Sequence, residues 1–593
     1  MAALFTTPRR NDTTAGTHVA EPDVRRRIGL AHGSWRRVTR RIVAGAVCAL
    51  TVSSLLMPSV SLAAEWVKVG GNKHNTAASD EAGTWSWDGA DDLKLNNYNG
   101  GEIQAAGKLN VNYSGTNIVT AEWIESIKVS HGTNENAELN IQGDEGGTLS
   151  VTSTEDAILS TGNINIDGAG SVNATSTGFD AINAGGDLAI KGSGNVNATG
   201  ASDGIRANGN ITIDDSGAVT ARATKDKGIG ADKNLTIKGG GTVEASSADG
   251  EALWSGGNIN ISDGSQVKAS SEKDAAVEAK GSLAVTNASL DASGVEYGVY
   301  AYKGVTLDHA TVMVRTSANG GQAIALITDG DDIVIKNGST VDAFAEGEVS
   351  AAFSTRNDRP NEKGGHIYIS DSVVKAIARY VENGDGPIPY SENQDGETRR
   401  EPQGENIGII AQTSEGVTPA VISIIRSKVT AEGDTAAIFA RAMSADGKTI
   451  GTIKIENAAI QMPEGGKVID YRKLRDGIYE AGQAIGTGHA TVDSLYIKAV
   501  AKSTTIAPPE VAKPEDPKPD ETKPAESKPA ESKQNPKPEG SKPTKAVAAS
   551  TTKAKTTGVL AATGDTSGAA IVATVLAGTA AIAAGTMASR KRS

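Results

Sequence analysis

The chain of 593 residues has almost no cysteine and few aromatic residues. Its single cysteine, Cys48, lies in an apolar N-terminal stretch that we expect to be removed. The mature protein then has no disulfide bond, no thiolate nucleophile and no cysteine ligand for a metal. Aromatic residues make up 4% of the sequence, which also contains 69 glycines. So few large side chains disfavour an ordinary globular core and favour a core of stacked Ile, Val and Ala side chains.

Basic residues are also in the minority. The chain has 58 Lys and Arg against 71 Asp and Glu, a formal net charge of −13, and several arginines fall in its first 41 residues. This acidic body excludes nucleic-acid binding, which requires a basic surface. The histidines after the leader have no spacing typical of a metal site. They are His74, His131, His309, His366 and His489.

A pattern of about 24 residues occurs six times between Gly162 and Thr316. Each copy contains three short apolar clusters, separated by Gly, Asn, Asp and Ser. Alternation with period two in these clusters predicts β-strands, and the intervening residues are typical of turns. The first cluster of the copies is Ile164/Ile166, Leu188/Ile190, Ile211/Ile213, Leu235/Ile237, Ile259/Ile261 and Leu283/Val285. The second contains Val172, Val196, Val219, Val243, Val267 and Leu290, and the third contains Ile182, Ile205, Ile229, Leu253, Val277 and Val299.

A fixed period of this length indicates a solenoid, in which repeats stack because no single repeat can bury its own apolar face. Three strands per copy predict an all-β fold, a single-stranded parallel β-helix whose rungs lie about 4.8 Å apart. Looser rungs continue after Thr316, and a polar insert between about Tyr380 and Asn406 must loop out of the stack. The β-helix is expected to span residues 102–500.

Residues 1–64 have the pattern of a secretory signal peptide. Arginines up to Arg41 precede an apolar run from Ile42 to Met57, and small residues before Ala64 fit a cleavage site. The apolar run is shorter than the ~20 residues of a membrane-spanning helix. Residues 65–101 lack the repeat and are rich in aromatics, so they are expected to form an N-terminal cap over the exposed end of the solenoid.

The C-terminal part of the chain changes composition twice. Residues 501–559 are dominated by Pro, Lys and Glu, which predicts a disordered, extended and semi-rigid stalk. Residues 560–593 contain the pentapeptide LAATG, then an apolar segment from Gly568 to Ala588 that is expected to be helical, then a basic tail.

This C-terminal order resembles the sorting signal of Gram-positive proteins that sortases attach to the cell wall. Leu560, Ala561, Ala562, Thr563 and Gly564 resemble the LPxTG motif of that signal, with Ala561 at the usual proline position. The resemblance implies that a sortase cleaves after Thr563 and links it to peptidoglycan; the sortase class stays open. It also implies a secreted protein covalently anchored at the cell surface, which contacts the membrane only through its C-terminal segment before sorting.

A second resemblance concerns the repeats. The stretch TWSWDGADDLKLNNYNGGEIQAAGKLNVNYSG, from Thr84 to Gly115, and the phrases FDAINA, SDGIRA and ITIDDSGAVTA resemble secreted bacterial β-helix proteins of the carbohydrate-binding-domain type. These proteins belong to the pectin-lyase-like superfamily. The resemblance implies polysaccharide binding, with calcium as an optional cofactor.

Stacked rungs turn equivalent sequence positions into surface stripes. Asp180 and Asp203 are expected one rung apart, about 4.8 Å, which is close enough to share a Ca²⁺ ion or to act as a glycosidase carboxylate pair. A solvated acidic stripe gives the same pattern. Further members of the stripe, on either side of the third apolar column, are Asn183, Arg206, Lys227, Gly230, Glu251, Trp254, Glu278 and Tyr300.

Trp254 and Tyr300 alternate with inward aliphatic residues, so we expect them to face outward, two rungs or roughly 9.6 Å apart. Their flat apolar faces would suit stacking on sugar rings, and Tyr297 and Tyr302 extend the same patch. The alternative is that these aromatics are isolated or contact the next rung.

We therefore expect a non-catalytic, cell-wall-anchored surface protein that binds an extracellular polysaccharide or a host glycan through its β-helix. Two alternatives stay open. One is a wall-anchored polysaccharide lyase or hydrolase of the pectin-lyase-like type, and the other is a structural adhesin that binds protein. The sequence contains no evident Ser/His/Asp constellation or phosphate-binding glycine loop.

Overall fold

The structure, a computed structural model, describes residues 63–509 except 134–136, 319–320, 358–364, 382–390, 393–397, 400–404, 415–416, 446, 476–477 and 488–499. In this part the chain forms three long sheets, which we call A, B and C. Each rung passes through sheet A, then sheet C, then sheet B, and each strand pairs in parallel with its equivalent in the next rung. This confirms the predicted parallel β-helix with three strands per rung.

The strands of each sheet have the following bounds. Sheet A contains Ala78–Ser79, Trp85–Trp87, Asp92–Asn96, Lys108–Ser114, Glu138–Gly143, Asn163–Gly168, Leu188–Lys191, Ile211–Asp214, Leu235–Lys238, Ile259–Ser262, Leu283–Thr286, Val305–Asp308, Ile333–Lys336, Ile367–Ser370, Val421–Ile425 and Thr452–Glu456. Sheet B contains Trp66–Val69, Asn72–His74, Ile103–Ala106, Ile127–Ser130, Ile158–Ser160, Ile182–Ala184, Ile205–Ala207, Ile229–Ala231, Leu253–Ser255, Val277–Ala279, Tyr297–Ala301, Gln322–Asp329, Val349–Asn357, Asn406–Thr413, Ala436–Ser444, Lys467–Arg475 and Ile478–Gly486. Sheet C contains Asn99–Gly100, Thr116–Ala121, Thr148–Ser153, Ser171–Ser176, Val196–Gly200, Ala218–Ala223, Thr242–Ser247, Gln266–Ser271, Ser289–Gly294, Thr311–Ser317, Thr340–Gly347, Val373–Tyr380, Lys428–Gly433, Ala459–Met462 and Ser503–Ala507. A separate antiparallel pair, Ser391–Glu392 and Thr398–Arg399, lies in the polar insert.

The predicted aliphatic columns form the core. Ile211 pairs with Leu235 on the next strand of sheet A, and Ile205 pairs with Ile229 on sheet B. These side chains are fully buried. Because the strand register places like residues above one another, each column fills the interior without large aromatic rings, as the composition predicts.

The turn from sheet A to sheet C has a left-handed residue at the same position in successive rungs. Gly192, Asp215, Gly239 and Asp263 occupy it, with φ between 47° and 87°. Glycine adopts this conformation without steric cost, and Asn and Asp tolerate it better than other residues. His309 is an exception, with φ of 50°.

Antiparallel strands lie at both ends of sheet B. At the N-terminal end, Trp66–Val69 pairs with Asn72–His74 and with Ile103–Ala106, and Trp87 and Tyr98 join the core cluster. At the C-terminal end, Ile478–Gly486 pairs in the antiparallel sense with the last parallel strand. These pairings occupy hydrogen-bonding groups that the end strands of the sheet would otherwise expose.

One boundary differs from the sequence prediction. Ser503–Ala507 pairs in the antiparallel sense with Lys428–Gly433 of sheet C, and Ile506 is fully buried. The β-structure therefore extends past residue 500, where the β-helix was expected to end, because Ile506 of this short strand packs into the core.

Several predicted segments lie outside the described residues. These are the signal peptide, apart from its last two residues, the stalk from residue 510 onward, the LAATG motif and the C-terminal apolar helix. In the part that the structure describes, no helix is long and apolar enough to cross a membrane.

Candidate functional site

Each regular rung bends at a small residue where sheet C leads into sheet B. Ala181, Gly204 and Gly228 hold this position in three successive rungs, and all three are buried. A Cβ atom at Gly228 would lie 2.6 Å from the carbonyl oxygen of Ala252, which is too close for any side chain. The small residue therefore allows the tight bend.

Side chains three positions apart meet outside this bend. Asn183 Nδ2 donates a hydrogen bond to Asp180 Oδ2 at 2.9 Å, and Arg206 Nη1 donates one to Asp203 Oδ2 at 3.3 Å. Asp180 and Glu278 are 7% exposed and Asp203 is 1% exposed, so these polar side chains lie recessed among their neighbours. We call this recessed strip the sheet B cleft. It is lined by Asp180, Asn183, Asp203, Arg206, Lys227, Glu251, Trp254, Glu278, Lys280, Tyr297, Tyr300 and Tyr302.

The strand register places the predicted aromatic pair two rungs apart. Trp254 pairs with Glu278 on the next strand, and Glu278 pairs with Tyr300. Gly230 precedes Trp254 in the same column. The two aromatic residues and the predicted aspartates thus lie along one side of sheet B.

The aspartates form a ladder along one wall of the cleft. Asp180 Oδ1 accepts the backbone N–H of Asp203 at 3.0 Å, and Asp203 Oδ1 accepts the backbone N–H of Lys227 at 2.6 Å. Burial raises the pKa of Asp180 above its ordinary value and raises the pKa of Asp203 to about 6. These carboxylates satisfy the backbone of the neighbouring rung, so their first role is structural.

The same contacts do not fit the calcium site that the sequence suggests for Asp180 and Asp203. A Ca²⁺ ion takes six to eight oxygen ligands. Both carboxylates already accept hydrogen bonds from the backbone and from a neighbouring side chain. The guanidinium of Arg206 also lies at Asp203, where it would repel a cation. The donor set is therefore arranged for N–H groups rather than for a metal ion.

Trp254 lies half-buried on the floor of the cleft. The Nζ atom of Lys227 lies 5.2 Å from the centroid of its ring, a cation–π distance. A Cβ atom at Gly256 would lie 3.4 Å from Trp254 Cη2, whereas one at Gly230 would meet the side chain of Lys227. The indole edge thus lies close to Gly256, and the residue is partly exposed to solvent.

Glu251 and Glu278 form a carboxyl pair beside Trp254. The two carboxyl groups share a hydrogen bond, and Lys227 Nζ lies 4.0 Å from Glu251 Oε2. Burial raises the pKa of Glu251 well above its ordinary range, and the contact with Glu278 raises it further. Glu251 therefore keeps its proton to a higher pH than an exposed glutamate does.

Lys280 links this pair to the tyrosines. Its ammonium group contacts the carboxylate of Glu278 and donates a hydrogen bond to the Tyr302 hydroxyl at 2.9 Å. Its Nζ atom also lies 4.1 Å from the centroid of the Tyr302 ring. The aromatic patch and the carboxyl pair therefore belong to one continuous set of contacts.

The tyrosines stack on one another. Tyr300 lies 5.0 Å from Tyr297 and 4.5 Å from Tyr302 between ring centroids. Tyr300 points away from the main core, as predicted, but it is only 8% exposed and joins a second apolar cluster with Ile324 and Ile327. Its ring is therefore not an open platform for a sugar, whereas Tyr297 and Tyr302 are partly exposed.

The sequence stripe contained Lys227, Glu251 and Glu278, but it did not identify them as a site, and it did not include Lys280. The missing information was the geometry of the bend, which brings the side chains at positions i and i+3 together. A usable signal was present, because Lys280 lies two residues after Glu278, just past the end of the strand Val277–Ala279.

Comparison with known proteins adds no further assignment: no protein-family model, curated protein or solved structure matches this chain. The function of the cleft must therefore be inferred from its own residues.

Proposed function

We propose that this protein is a cell-wall-anchored surface protein whose sheet B cleft binds an extracellular polysaccharide or a host glycan. The observation that carries the proposal is the position of Trp254, half-buried among the charged side chains of the cleft, with Lys227 over its ring. Ligand sites commonly combine apolar surface with a few well-placed polar groups.

The cleft offers a sugar ring both kinds of contact. The open part of the Trp254 indole can stack on the apolar face of a ring. Lys227, Glu251 and Glu278 lie close enough to that ring to hydrogen-bond sugar hydroxyls, and charge-assisted hydrogen bonds are stronger than neutral ones. Tyr302 and Lys280 can extend these contacts to a further sugar unit.

The charge of the cleft favours certain glycans. Four carboxyl groups, from Asp180, Asp203, Glu251 and Glu278, face three cations, from Arg206, Lys227 and Lys280. Because Glu251 keeps its proton to a higher pH than usual, the charges nearly balance, and the cleft has no excess of positive charge to attract carboxylates or sulfates. Neutral sugars and amino sugars do not need such an excess, so we propose them as the ligand class.

One observation favours hydrolysis as a second candidate, because a carboxyl group of raised pKa beside another carboxyl is typical of acid–base catalysis. The separation argues against it. Retaining glycosidases hold their carboxyl groups about 5–5.5 Å apart and inverting ones further, whereas Glu251 and Glu278 are hydrogen-bonded directly. Binding without turnover is therefore the better proposal.

The proposed anchoring is supported by the leader, the Pro-rich stalk and the LAATG motif of the sequence. It is tested in a Gram-positive host that expresses the full chain. Thr563→Ala should move the protein from the wall fraction to the membrane and medium fractions. Wall attachment that survives Thr563→Ala would exclude sorting at this motif.

Binding is tested on a glycan array with the purified protein and its Trp254→Ala variant. We expect saturable binding to neutral or amino-sugar glycans, lost by at least tenfold in Trp254→Ala. Tyr368→Ala is the matched control, because Tyr368 is an exposed aromatic on sheet A. Equal binding by Trp254→Ala would exclude the sheet B cleft, and release of shorter glycans would favour the hydrolase.

A further inference from the structure

A polar groove of about 600 Å³ lies on the outer face of sheet A, on a different sheet from the cleft. Its floor consists of outward-facing residues of successive strands, which the register places in one column. The floor residues, in order, are Asn165, Ala189, Thr212, Thr236 and Asn260.

One wall of the groove is a ladder of asparagine amides that includes one carboxylate, that of Asp187. Asn234 Oδ1 accepts the backbone N–H of Asn258 at 2.9 Å, and Asp187 Oδ1 accepts that of Asn210 at 2.7 Å. Asn163 Oδ1 likewise accepts the backbone N–H of Asp187 at 2.9 Å. The wall is therefore fixed in register with the rungs, which lowers the entropy cost of binding a ligand along it.

The floor results from the interruption of a second ladder. Asn110, Asn140 and Asn165 lie on successive rungs, and the Nδ2 of each later asparagine donates to the Oδ1 of the one before it at 2.8 Å. Ala189 follows Asn165 in the column and has no donor in its side chain. Within the described part of the chain, no donor reaches Asn165 Oδ1.

The interruption lasts for three rungs. Short side chains at Ala189, Thr212 and Thr236 leave an open length of roughly 19 Å between Asn165 and Asn260, at about 4.8 Å per rung. The groove thus begins at an acceptor without a partner and continues over small side chains along the solenoid axis.

The lining of this groove is close to neutral. Among its residues, Asp187 and Lys191 carry the charges and cancel each other, and the rest are amides, hydroxyls and aliphatic groups. No aromatic ring lines it. Amide and hydroxyl groups both donate and accept hydrogen bonds, as sugar hydroxyls do, so this lining matches an uncharged polyhydroxylated chain.

From these observations we infer that the sheet A groove binds a neutral polysaccharide that lies extended along the solenoid axis. Its hydroxyl groups would bond the amide wall on one side and Asn165 Oδ1 at one end. This second site is independent of the sheet B cleft, and it lacks the aromatic stacking and the charge pairs proposed there.

Affinity electrophoresis of the full-length protein tests this inference, with gels that contain dextran, hydroxyethyl cellulose or galactomannan. We expect retardation in at least one gel. The variant Thr212→Tyr/Thr236→Tyr fills the groove and should weaken the affinity at least tenfold. Thr220→Tyr is the control, since Thr220 faces outward on sheet C in the same rung as Thr212.

A second variant distinguishes loss of binding at the groove from misfolding of the protein. Ala189→Asn continues the interrupted ladder, because the new Nδ2 would donate to Asn165 Oδ1. It should fold with an unchanged or higher thermal midpoint and yet bind the same polysaccharide at least threefold more weakly. Unchanged affinity in both groove variants, or no retardation in any gel, would overturn the inference.

The same experiment distinguishes binding at the sheet B cleft from binding at the sheet A groove. Trp254→Ala should keep its retardation by the neutral polysaccharide if the groove is the site. Retardation lost in Trp254→Ala but kept in Thr212→Tyr/Thr236→Tyr would assign that ligand to the sheet B cleft. This outcome would overturn the groove and leave the proposed function intact.

Discussion

Glu251 and Glu278 lie on neighbouring rungs, and their carboxyl groups share a hydrogen bond beside the indole of Trp254. Two carboxyl groups in contact cannot both ionise without cost, so one of them holds a proton at higher pH than usual. The protonated carboxyl group, the neighbouring carboxylate and the indole of Trp254 thus lie together in one short part of the cleft.

Glu278→Gln tests this pair. The amide keeps a hydrogen-bonding group but removes the neighbouring charge, so the pKa of Glu251 should fall. Burial should still hold it above the ordinary value, because burial is the larger cause of the shift. Carboxyl ¹³C NMR titration measures the change. Glu244→Gln, on the outer side of sheet C, is the control, and an unchanged pKa of Glu251 in Glu278→Gln would show that the contact has no effect.

Asp203 should make the stability of the protein depend on pH. Burial raises its pKa from 3.8 to about 6 in the folded state. The folded state then holds the proton more tightly, so this stabilisation is complete below about pH 4 and is lost as the pH rises through about 6. The difference corresponds to about 3 kcal/mol of unfolding free energy.

Asp203→Asn removes that dependence. The amide oxygen can still accept the Lys227 N–H, and Arg206 keeps its ion pair with Asp232 at 3.1 Å. Thermal midpoints measured from pH 4 to pH 7 should fall less in the variant than in the wild type. Asp187→Asn, at an exposed carboxylate that bonds a backbone N–H in the same way, is the control. Parallel curves for Asp203→Asn and the wild type would contradict the assignment.

Ile237→Ala tests the stacked core. Ile237 lies in the column between Ile213 and Ile261 and is 1% exposed. A cavity there should cost about 2–5 kcal/mol of unfolding free energy, because neighbouring rungs cannot close around it. Denaturant unfolding followed by circular dichroism measures the loss. Thr236→Ala, one residue earlier and facing outward, should change stability by less than about 1 kcal/mol.

His309→Asn should stabilise the protein. His309 has a left-handed backbone with φ of 50°, and Asn337 holds the equivalent position one rung later. Asparagine accepts this conformation more readily than histidine, so the gain should be about 1 kcal/mol. The thermal midpoint should rise in His309→Asn and fall in the reciprocal variant Asn337→His. A fall in both variants would show that His309 makes a contact that outweighs its backbone strain.

The sequence predicts the core of this fold well because aliphatic side chains recur at the same positions of a repeat of constant length. Ile205 and Ile229 are separated by one rung length in the sequence. In a parallel register their side chains must therefore stack on each other inside the solenoid. The strand at Ser503–Ala507 was missed since it pairs in the antiparallel sense and has no repeat to mark it.

The candidate site was predictable in position but not in detail. Trp254 and Tyr300 lie in the column that the repeat assigns to them. The burial of Tyr300 depends on Ile324 and Ile327 of the next rung, which belongs to a longer and irregular copy. The contact of Glu251 with Glu278 depends on the angle of a bend, and no single residue type encodes that angle.

The regular rungs also make the length of this molecule adjustable. From Ile164 to Leu283 each rung pairs with the next through the same three strands, so one complete copy could be duplicated or deleted without breaking any column. Such a change would shift everything beyond it by about 4.8 Å along the axis. The number of regular rungs therefore sets the length of surface that a bound ligand can contact.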